Sequence, residues 1–221
     1  MYKHTIMYEN FLAQFNKAAL EAGRDIKEIE LIAVSKKKPF EDIKEVFDQG
    51  HVSFGENQIQ EIERKWPELK KLSSDIQLQF IGNIQSRKVE SIHENCEVIH
   101  SIDRMKVVKL FAEVEELKNV RRKYFIQINT GNEPQKSGVM LSEANKFITE
   151  CLEKYNLNIL GLMCIPPFNE DSKKHFLTLA DMAKNFNLSS LSMGMSNDFE
   201  TALECGATHI RIGTKIFGER N

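Results

Sequence analysis

The stretch that decides the fold is Ile159-Leu160-Gly161-Leu162-Met163-Cys164-Ile165. Successive side chains of a strand point to opposite faces, and this stretch is apolar at both sets of positions. Parallel strands that are covered on both faces need this pattern, whereas a half-exposed antiparallel strand alternates apolar with polar residues. The stretch therefore predicts a buried strand of a parallel sheet.

Other short apolar runs recur along the chain, and most segments between them carry apolar residues at helical spacing. The predicted strands cover residues 31–35, 51–55, 77–82, 97–102, 124–129, 158–165, 190–195 and 208–213. Eight βα units favour an α/β protein with a closed (β/α)₈ TIM barrel. A doubly wound open sheet is the alternative that the pattern leaves open.

The two ends of the chain favour the barrel. An amphipathic helix is predicted over residues 2–22, where apolar residues recur every three or four positions, namely Tyr8, Phe11, Leu12, Phe15 and Ala19. Only Thr214 to Asn221 follow the eighth strand, too few for a covering helix, so we expect the N-terminal helix to complete the outer ring. Because no linker or repeat divides the chain, residues 1–221 are expected to form a single domain.

The composition excludes several classes of partner. The 30 Lys and Arg residues against 32 Asp and Glu residues give a formal net charge of −2, so no overall positive field points to nucleic acid or an anionic membrane. No apolar run reaches the roughly 18 residues of a membrane-spanning helix. The four cysteines are widely spaced, which fits a reducing compartment, so we expect a cytoplasmic protein without a metal site.

Functional side chains of a barrel gather at the C-terminal ends of its strands, and Lys36 follows the first strand. Alternation puts it on the same face as Ile32 and Val34. Burial beside other cations lowers the pKa of a lysine, and the free amine then condenses with aldehydes. A solvated lysine at a helix entrance is the alternative reading.

Small and hydroxyl-bearing turns follow the seventh and eighth strands, at Ser196 and at Gly213-Thr214. Barrels commonly bind phosphate there, because backbone N–H groups and a helix N-terminus converge. Closure of the barrel would bring both turns beside Lys36, which points to a phosphate-bearing aldehyde as ligand. Capping of the next helix by Ser196 or Asn197 is the structural alternative.

Arg211 shares the strand face of Gly213 and is therefore expected to point inward. An inward arginine needs a partner. It could serve the ligand, or it could form an ion pair inside the barrel with an acidic residue such as Glu56. His209, on the same face, is interpreted as core filling.

On five segments in order along the chain, the sequence resembles the pyridoxal phosphate homeostasis protein family, single-domain relatives of the alanine racemase barrel. The segments are Ala33-Val34-Ser35-Lys36, Phe54-Gly55-Glu56-Asn57, Phe80-Ile81-Gly82-Asn83-Ile84-Gln85-Ser86-Arg87-Lys88, Gly194-Met195-Ser196 and Arg211-Ile212-Gly213-Thr214. The resemblance runs from about residue 30 to the end of the chain. Departures are Gln79, where the family often has His, and Arg87, where it often has Asn.

The resemblance implies a fold-type III barrel that holds pyridoxal 5′-phosphate (PLP) as a Schiff base on Lys36. It also implies that Ser196, Gly213 and Thr214 surround the phosphate and that Arg211 faces the pyridine nitrogen. An arginine only donates hydrogen bonds, so it would leave that nitrogen unprotonated and weaken the ring as an electron sink. Asn57 is a further residue expected near the cofactor, with a helix cap as its alternative role.

Two further residues are weighed for chemistry. Lys136 lies in a segment that looks like the racemase loop bearing a basic side chain, although an ordinary exposed lysine is favoured. Cys164 could supply a racemase's second acid, but a buried cysteine in a strand usually packs as a small apolar group. No tyrosine follows a predicted strand, so the two acid–base groups of a racemase are not evident.

We therefore predict a monomeric protein that binds and buffers PLP without robust catalytic turnover, and the exchangeable linkage would also allow delivery to apo PLP-dependent enzymes. A PLP-dependent racemase-like enzyme and a Schiff-base aldolase acting on a sugar phosphate are the alternatives.

Overall fold

A closed barrel of parallel strands forms the centre of the computed structural model, which describes residues 3–219. The barrel strands are β1 Glu30–Val34, β2 Ser53–Glu56, β3 Gln77–Phe80, β4 Val98–Ile102, β5 Lys123–Asn129, β7 Ile159–Met163, β8 Ser190–Ser192 and β9 His209–Ile212. The short strand β6, Val139–Met140, pairs with β5 outside this ring. Pairing of β9 with β1 and of β4 with β5 closes the barrel. The closed (β/α)₈ prediction is confirmed, and the open sheet is excluded.

Helices surround the barrel. They are α1 Lys3–Glu21, α2 Phe40–Phe47, α3 Ile59–Lys70, α4 Val89–Asn95, α5 Met105–Lys118, α6 Leu141–Thr149, α7 Ser172–Asn185, α8 Phe199–Glu204 and α9 Thr214–Phe217. Helix α1 packs against α2, α8 and the single-turn α9. The N-terminal helix therefore completes the outer ring beside the single turn of α9, as predicted.

The two faces of the strands have different chemistry. One face packs against the helices in a large apolar core that includes Leu31, Ala33 and Phe54. The opposite face is directed into the barrel, where a small apolar cluster of Val98, Phe125 and Met163 accompanies several buried polar side chains. The interior is thus packed but partly polar, and alternation determines which residues reach it.

Two classes of feature are absent from residues 3–219. None of the helices there combines the length and the apolar character that crossing a membrane requires. No group of three or more His, Cys, Asp or Glu side chains in that range is arranged to hold a metal ion.

Candidate functional site

The pairing register aligns the predicted site residues at one end of the barrel. Val34 of β1 is opposite Gly55 of β2, and Ala33 is opposite Ile212 of β9. Lys36 and Asn57 each follow the paired Val34 and Gly55 by two residues, and Gly213 follows Ile212 directly. Lys36 is partly buried. Lys36, Asn57 and Gly213 are distant in sequence, but each follows a strand position at the same height along the barrel axis.

The turn that carries Lys36 is held from outside the barrel by a buried lysine. Lys65 of α3 donates to the carbonyl oxygens of Ser35 at 3.1 Å and Lys38 at 3.3 Å. It also pairs with the carboxylates of Glu56 at 2.7 Å and Glu61 at 2.9 Å. Because these carbonyls bracket the turn, Lys65 fixes the backbone on both sides of Lys36.

The same turn contains an unusual backbone conformation. Lys37 has a φ of 63°, in the left-handed region, and its N–H donates to Glu61 Oε2 at 2.6 Å. A non-glycine residue reaches this region only at a conformational cost. The hydrogen bond to Glu61 offsets that cost and couples the turn to α3.

Glu56 lies beneath this turn, on the outer face of β2. Its Oε1 accepts hydrogen bonds from Ser35 Oγ at 2.7 Å and Trp66 Nε1 at 3.3 Å, besides the ion pair with Lys65. Burial raises the pKa of Glu56, and the opposing effect of Lys65 does not cancel that rise. Lys65 is the largest of the influences that act against this rise in the pKa of Glu56.

Arg211 points into the barrel, as predicted, and the alternative of an ion pair with Glu56 is wrong. The two residues lie on opposite faces of the barrel wall, because Glu56 shares the outer face with Phe54. Arg211 instead donates to Ser192 Oγ at 2.5 Å and to the carbonyl oxygen of Cys164 at 3.0 Å. Burial lowers the pKa of Arg211. A guanidinium has five N–H donors, so donors remain for a ligand after these two contacts.

His209 fills the barrel interior against Phe125, as interpreted from the sequence, and it also makes two polar contacts. Its Nε2 lies 3.2 Å from Glu30 Oε2, at the end of the barrel where the strands begin. Its Nδ1 lies 2.8 Å from Thr208 Oγ1. The ring therefore joins the wall of the barrel to a carboxylate at its N-terminal end.

The two predicted phosphate turns are in contact. Thr214 Oγ1 donates to Ser196 Oγ at 2.9 Å, so the hydroxyl groups that follow β8 and β9 are adjacent. Gly213 lies beside Val34, where an added Cβ would be 3.4 Å from the Val34 carbonyl oxygen. Gly213 thus borders the start of the Lys36 turn, and Thr214 of the hydroxyl pair follows it directly in the chain.

The alternative capping roles of these turns are wrong. Helix α8 begins after Asp198, without a side-chain capping bond, and Asp198 Oδ1 accepts instead from Met195 N at 2.6 Å. Neither Ser196 nor Asn197 is the N-cap residue. In the same way, Gln58 and not Asn57 precedes the first residue of α3.

Asn57 is instead packed closely against the end of the next strand. A Cβ added to Gly82 would lie 2.0 Å from the Asn57 carbonyl oxygen, so only glycine fits there. This contact explains why glycine stands in the distinctive segment from Phe80 to Lys88. It also brings the ends of β2 and β3 together at the site.

A cleft of about 320 Å³ opens at the ends of β3, β5 and β7. Gly82, Gln127, Asn129 and Lys136 are among the residues that line it. Lys136 Nζ pairs with Glu133 at 2.6 Å. Lys136 is thus an exposed lysine with an ion pair inside its own loop, as favoured from the sequence. The lining of this cleft does not include Lys36. A larger groove of about 580 Å³ lies between the start of α2 and α3 on the outer surface.

Cys164 packs in the apolar core, as favoured from the sequence. It is fully buried, and burial raises the pKa of its thiol to about 12. At neutral pH such a thiol is not an effective acid–base group. All four cysteines are free and buried.

The residues that support the site carry only weak signals in the sequence. Glu61 and Lys65 are four residues apart on a helix. Because such charged pairs are common on exposed helix surfaces, this spacing does not indicate a buried ion pair. Ser192, His100 and Gln79 are polar residues within apolar strands. Their positions on the inward face were readable, but their mutual contacts depend on the closed barrel.

Comparisons with known proteins agree with this geometry. Residues 9–221 match the family described as alanine racemase, N-terminal domain. An alanine racemase from Streptomyces coelicolor, with 14% sequence identity, superposes with a TM-score of 0.73 over 92% of this chain and 56% of its own. The protein is thus a parallel barrel of the alanine racemase type, with a lysine after its first strand.

More similar relatives identify the family within this class. The pyridoxal phosphate homeostasis protein of Aquifex aeolicus is 37% identical over 218 residues, 95% of each chain. That of Escherichia coli is 35% identical over 217 residues, 94% of this chain and 93% of its own. PipY of Synechococcus elongatus, solved with PLP bound, is 28% identical with a TM-score of 0.84, over 96% of this chain and all of its own. The chain belongs to the pyridoxal phosphate homeostasis protein family.

Proposed function

We propose that this protein binds pyridoxal 5′-phosphate and serves intracellular PLP (vitamin B6) homeostasis, with Lys36 as the covalent attachment point. The observation that carries the proposal is the convergence of Lys36, Gly213 and the Ser196–Thr214 hydroxyl pair at one end of a racemase-type barrel. PipY, a structural relative, was solved with PLP bound. The names of the curated relatives support the same role.

The residues present fit the chemical groups of PLP. Lys36 provides an amine group for the aldehyde, and the adjacent hydroxyl groups of Ser196 and Thr214 provide hydrogen-bonding partners for the phosphate. The buried guanidinium of Arg211 has donors left for the ring nitrogen after its contacts with Ser192 and Cys164. Asn57 borders the same end of the barrel. When bound, the cofactor supplies an aldehyde carbon that exchanges between amines.

The energetics require the covalent bond. An anion at a helix terminus gains up to about 2 kcal/mol, whereas micromolar affinity needs about 8 kcal/mol. The hydroxyl pair alone is therefore insufficient. Condensation of the Lys36 amine with the aldehyde forms a C=N bond and releases water, and it supplies much of the remainder. The reversibility of that bond allows the protein to release what it holds.

Retention without rapid turnover is favoured over racemization. A racemase needs an acid–base group on each face of the cofactor. Cys164 is buried with a raised pKa. Among the residues that the structure describes, the tyrosines are Tyr8 in α1, Tyr124 at the start of β5 and Tyr155 after α6, and none lies at the C-terminal end of a barrel strand. Tyr2 lies outside the described residues.

Reduction with borohydride followed by peptide mass analysis tests the proposal. We expect a single pyridoxyl group on Lys36, and we expect Lys36→Ala to lack both that group and the visible absorbance of the PLP-loaded protein. Lys38→Ala is the matched control, because Lys38 is in the same turn but donates to the Phe217 carbonyl oxygen at 2.7 Å. Labelling of the Lys36→Ala variant at wild-type level would reject the assignment.

Solvent deuterium incorporation separates the carrier from the racemase-like enzyme. We expect no incorporation at the α-carbon of amino acids beyond that caused by free PLP. Exchange that the protein accelerates and that Lys36→Ala abolishes would establish the enzyme instead. A Schiff-base aldolase would bind sugar phosphates at Lys36, and a colourless protein after incubation with PLP would favour it.

Further features of the proposal concern the chain as a whole. We place the protein in the cytoplasm as a monomer built of one domain, residues 1–221, with apo PLP-dependent enzymes as recipients of the cofactor. The four free buried cysteines support a reducing compartment.

A further inference from the structure

A line of hydrogen bonds crosses the interior of the barrel from Arg211 to the opposite end. Arg211 contacts Ser192, and Ser192 Oγ lies 2.8 Å from His100 Nδ1. His100 Nε2 lies 2.6 Å from Gln79 Oε1. Gln79 Nε2 then contacts Glu30 Oε1, where the strands begin. Because β4 and β8 are not neighbours, the bond between His100 and Ser192 spans the interior itself.

The carboxylate of Glu30 sets the direction of this line. It accepts from Ser53 Oγ at 2.7 Å, and its second oxygen lies 3.2 Å from His209. Burial alone would raise the pKa of Glu30, but the interactions with His209, Ser53 and Gln79 outweigh it and lower the pKa. An ionised carboxylate only accepts hydrogen bonds. The amide nitrogen of Gln79 must therefore face Glu30.

The orientation of Gln79 determines the tautomer of His100. With its nitrogen toward Glu30, Gln79 presents its oxygen to His100 Nε2, and an oxygen that only accepts requires a proton on that nitrogen. Burial, followed by the charges of His209 and Arg211, holds the pKa of His100 well below its usual value. The ring is thus neutral, with its proton on Nε2 and a lone pair on Nδ1.

The tautomer in turn orients the hydroxyl group of Ser192. Its single proton goes to the lone pair of His100 Nδ1, so its oxygen lone pairs face Arg211, which can only donate. Every bond then runs the same way, from Arg211 through Ser192, His100 and Gln79 to Glu30. Aligned hydrogen bonds in a buried interior polarise one another. The Ser192 oxygen is consequently a fixed hydrogen-bond acceptor for Arg211.

We propose that His100 and Gln79 are positioning residues that hold the guanidinium of Arg211 in place for the pyridine nitrogen of the cofactor. This inference rests on the proposed function. If the Nε2 proton were lost to the other tautomer, His100 and Arg211 would both donate to Ser192, and the Ser192 proton would have to turn away from the ring. The acceptor for Arg211 would then be disordered, and its contact with the ligand would weaken.

The tautomer is measured on the apo-protein, independently of any ligand. Long-range proton–nitrogen NMR correlations distinguish a ring protonated on Nε2 from one protonated on Nδ1. We expect the Nε2–H form for His100 in the wild type and a change in its ring nitrogen signals in Gln79→Met, which removes the fixed acceptor. An Nδ1–H tautomer in the wild type would overturn the inference.

The effect on Arg211 is measured with two ligands that differ only at the ring nitrogen. PLP is compared with its analogue in which carbon replaces that nitrogen, which keeps the aldehyde, hydroxyl and phosphate groups. We expect Gln79→Met to weaken PLP binding about three- to tenfold and to leave the affinity for the analogue unchanged. General damage to the barrel would weaken both ligands alike, and equal losses or no loss would overturn the positioning role.

A matched pair of histidine variants supports the comparison. His100→Phe keeps a ring that can stack on Phe125, whose centroid lies 4.5 Å from that of His100. His93→Phe makes the same change at a buried histidine of α4 that contacts the Val120 carbonyl oxygen. Only His100→Phe should change the ratio of the affinities for PLP and for its analogue. A change of that ratio in His93→Phe as well would count against a role for the line of hydrogen bonds. If the wild type binds neither ligand, the proposed function fails. The NMR result on the apo-protein then still shows whether the line of hydrogen bonds has the inferred direction.

Discussion

Replacement of Lys65 by methionine tests how the Lys36 turn is held. Lys65 Nζ contacts four acceptors: the carboxylates of Glu56 and Glu61 and the carbonyl oxygens of Ser35 and Lys38. Its side chain is 4% exposed and that of Glu56 is fully buried. Removal of one partner from a buried ion pair typically costs about 3–5 kcal/mol, because the other charge remains without compensation.

The remaining contacts place the expected loss at the lower end of that range. Ser35 and Trp66 still donate to Glu56 after the substitution. Burial has already raised the pKa of Glu56, so the isolated carboxyl group takes up a proton instead of staying charged. We therefore expect the free energy of unfolding to fall by about 3 kcal/mol, less than the total stability of most domains.

Urea unfolding of the apo-protein measures this loss, with Lys70→Met as the control. Lys70 is also in α3 and pairs with Glu97 at 2.9 Å, but both side chains are about one-third exposed. Such a pair contributes at most about 1 kcal/mol. The double variant Lys65→Met/Glu56→Leu removes both charges and should recover part of the stability. Equal losses in Lys65→Met and Lys70→Met would refute the reasoning.

Three further predictions address other parts of the fold and site. Gly194→Ala should cost at least about 1 kcal/mol more in urea unfolding than Gly206→Ala; both glycines have positive φ, but a Cβ at Gly194 would lie 2.6 Å from a neighbouring side chain and one at Gly206 4.0 Å. Burial lowers the pKa of His51 to about 4, whereas the unfolded residue takes up its proton below pH 6.5. The free energy of unfolding should therefore fall by up to about 3 kcal/mol as the pH drops from 6.5 to 4. His51→Phe should make this dependence on pH smaller. Ser196→Ala should weaken binding of PLP several-fold but not that of pyridoxal, because pyridoxal lacks the phosphate group that we propose the Ser196–Thr214 hydroxyl pair contacts.

The sequence predicted the barrel because its evidence is local and repeated. Each of the eight barrel strands is short and contains apolar residues, and the structure places each within a few residues of the predicted range. Strand β6 was not predicted because it has only two residues, Val139 and Met140, which are too few to show an apolar run or an alternating pattern. The helix at residues 2–22 and its place in the ring followed from apolar spacing and from the short segment after the last strand.

A site residue was predictable only where its position at the end of a strand and the face to which its side chain points were enough to locate it. Alternation placed Arg211 inside the barrel correctly. The same rule would have excluded its pairing with Glu56, had the strand's register with its neighbours been known. Glu56 contacts Lys65 and Trp66 of α3 as well as Ser35 after β1, and the partners of Arg211 come from β8 and the end of β7. Contacts of that kind depend on closure and on helix packing, which short-range patterns do not encode.

The two polar assemblies act on the site from opposite sides of the barrel wall. Lys65 and Glu56, between the wall and α3, hold the backbone of the Lys36 turn. The line from Arg211 to Glu30, inside the wall, holds the proposed contact to the ring nitrogen. Because adjacent residues of one strand face opposite sides, the two assemblies share no side chain. Substitution of Lys65 should therefore weaken PLP and its analogue without the ring nitrogen equally, whereas substitution of Gln79 should affect PLP alone, and that contrast separates support of the turn from support of the arginine.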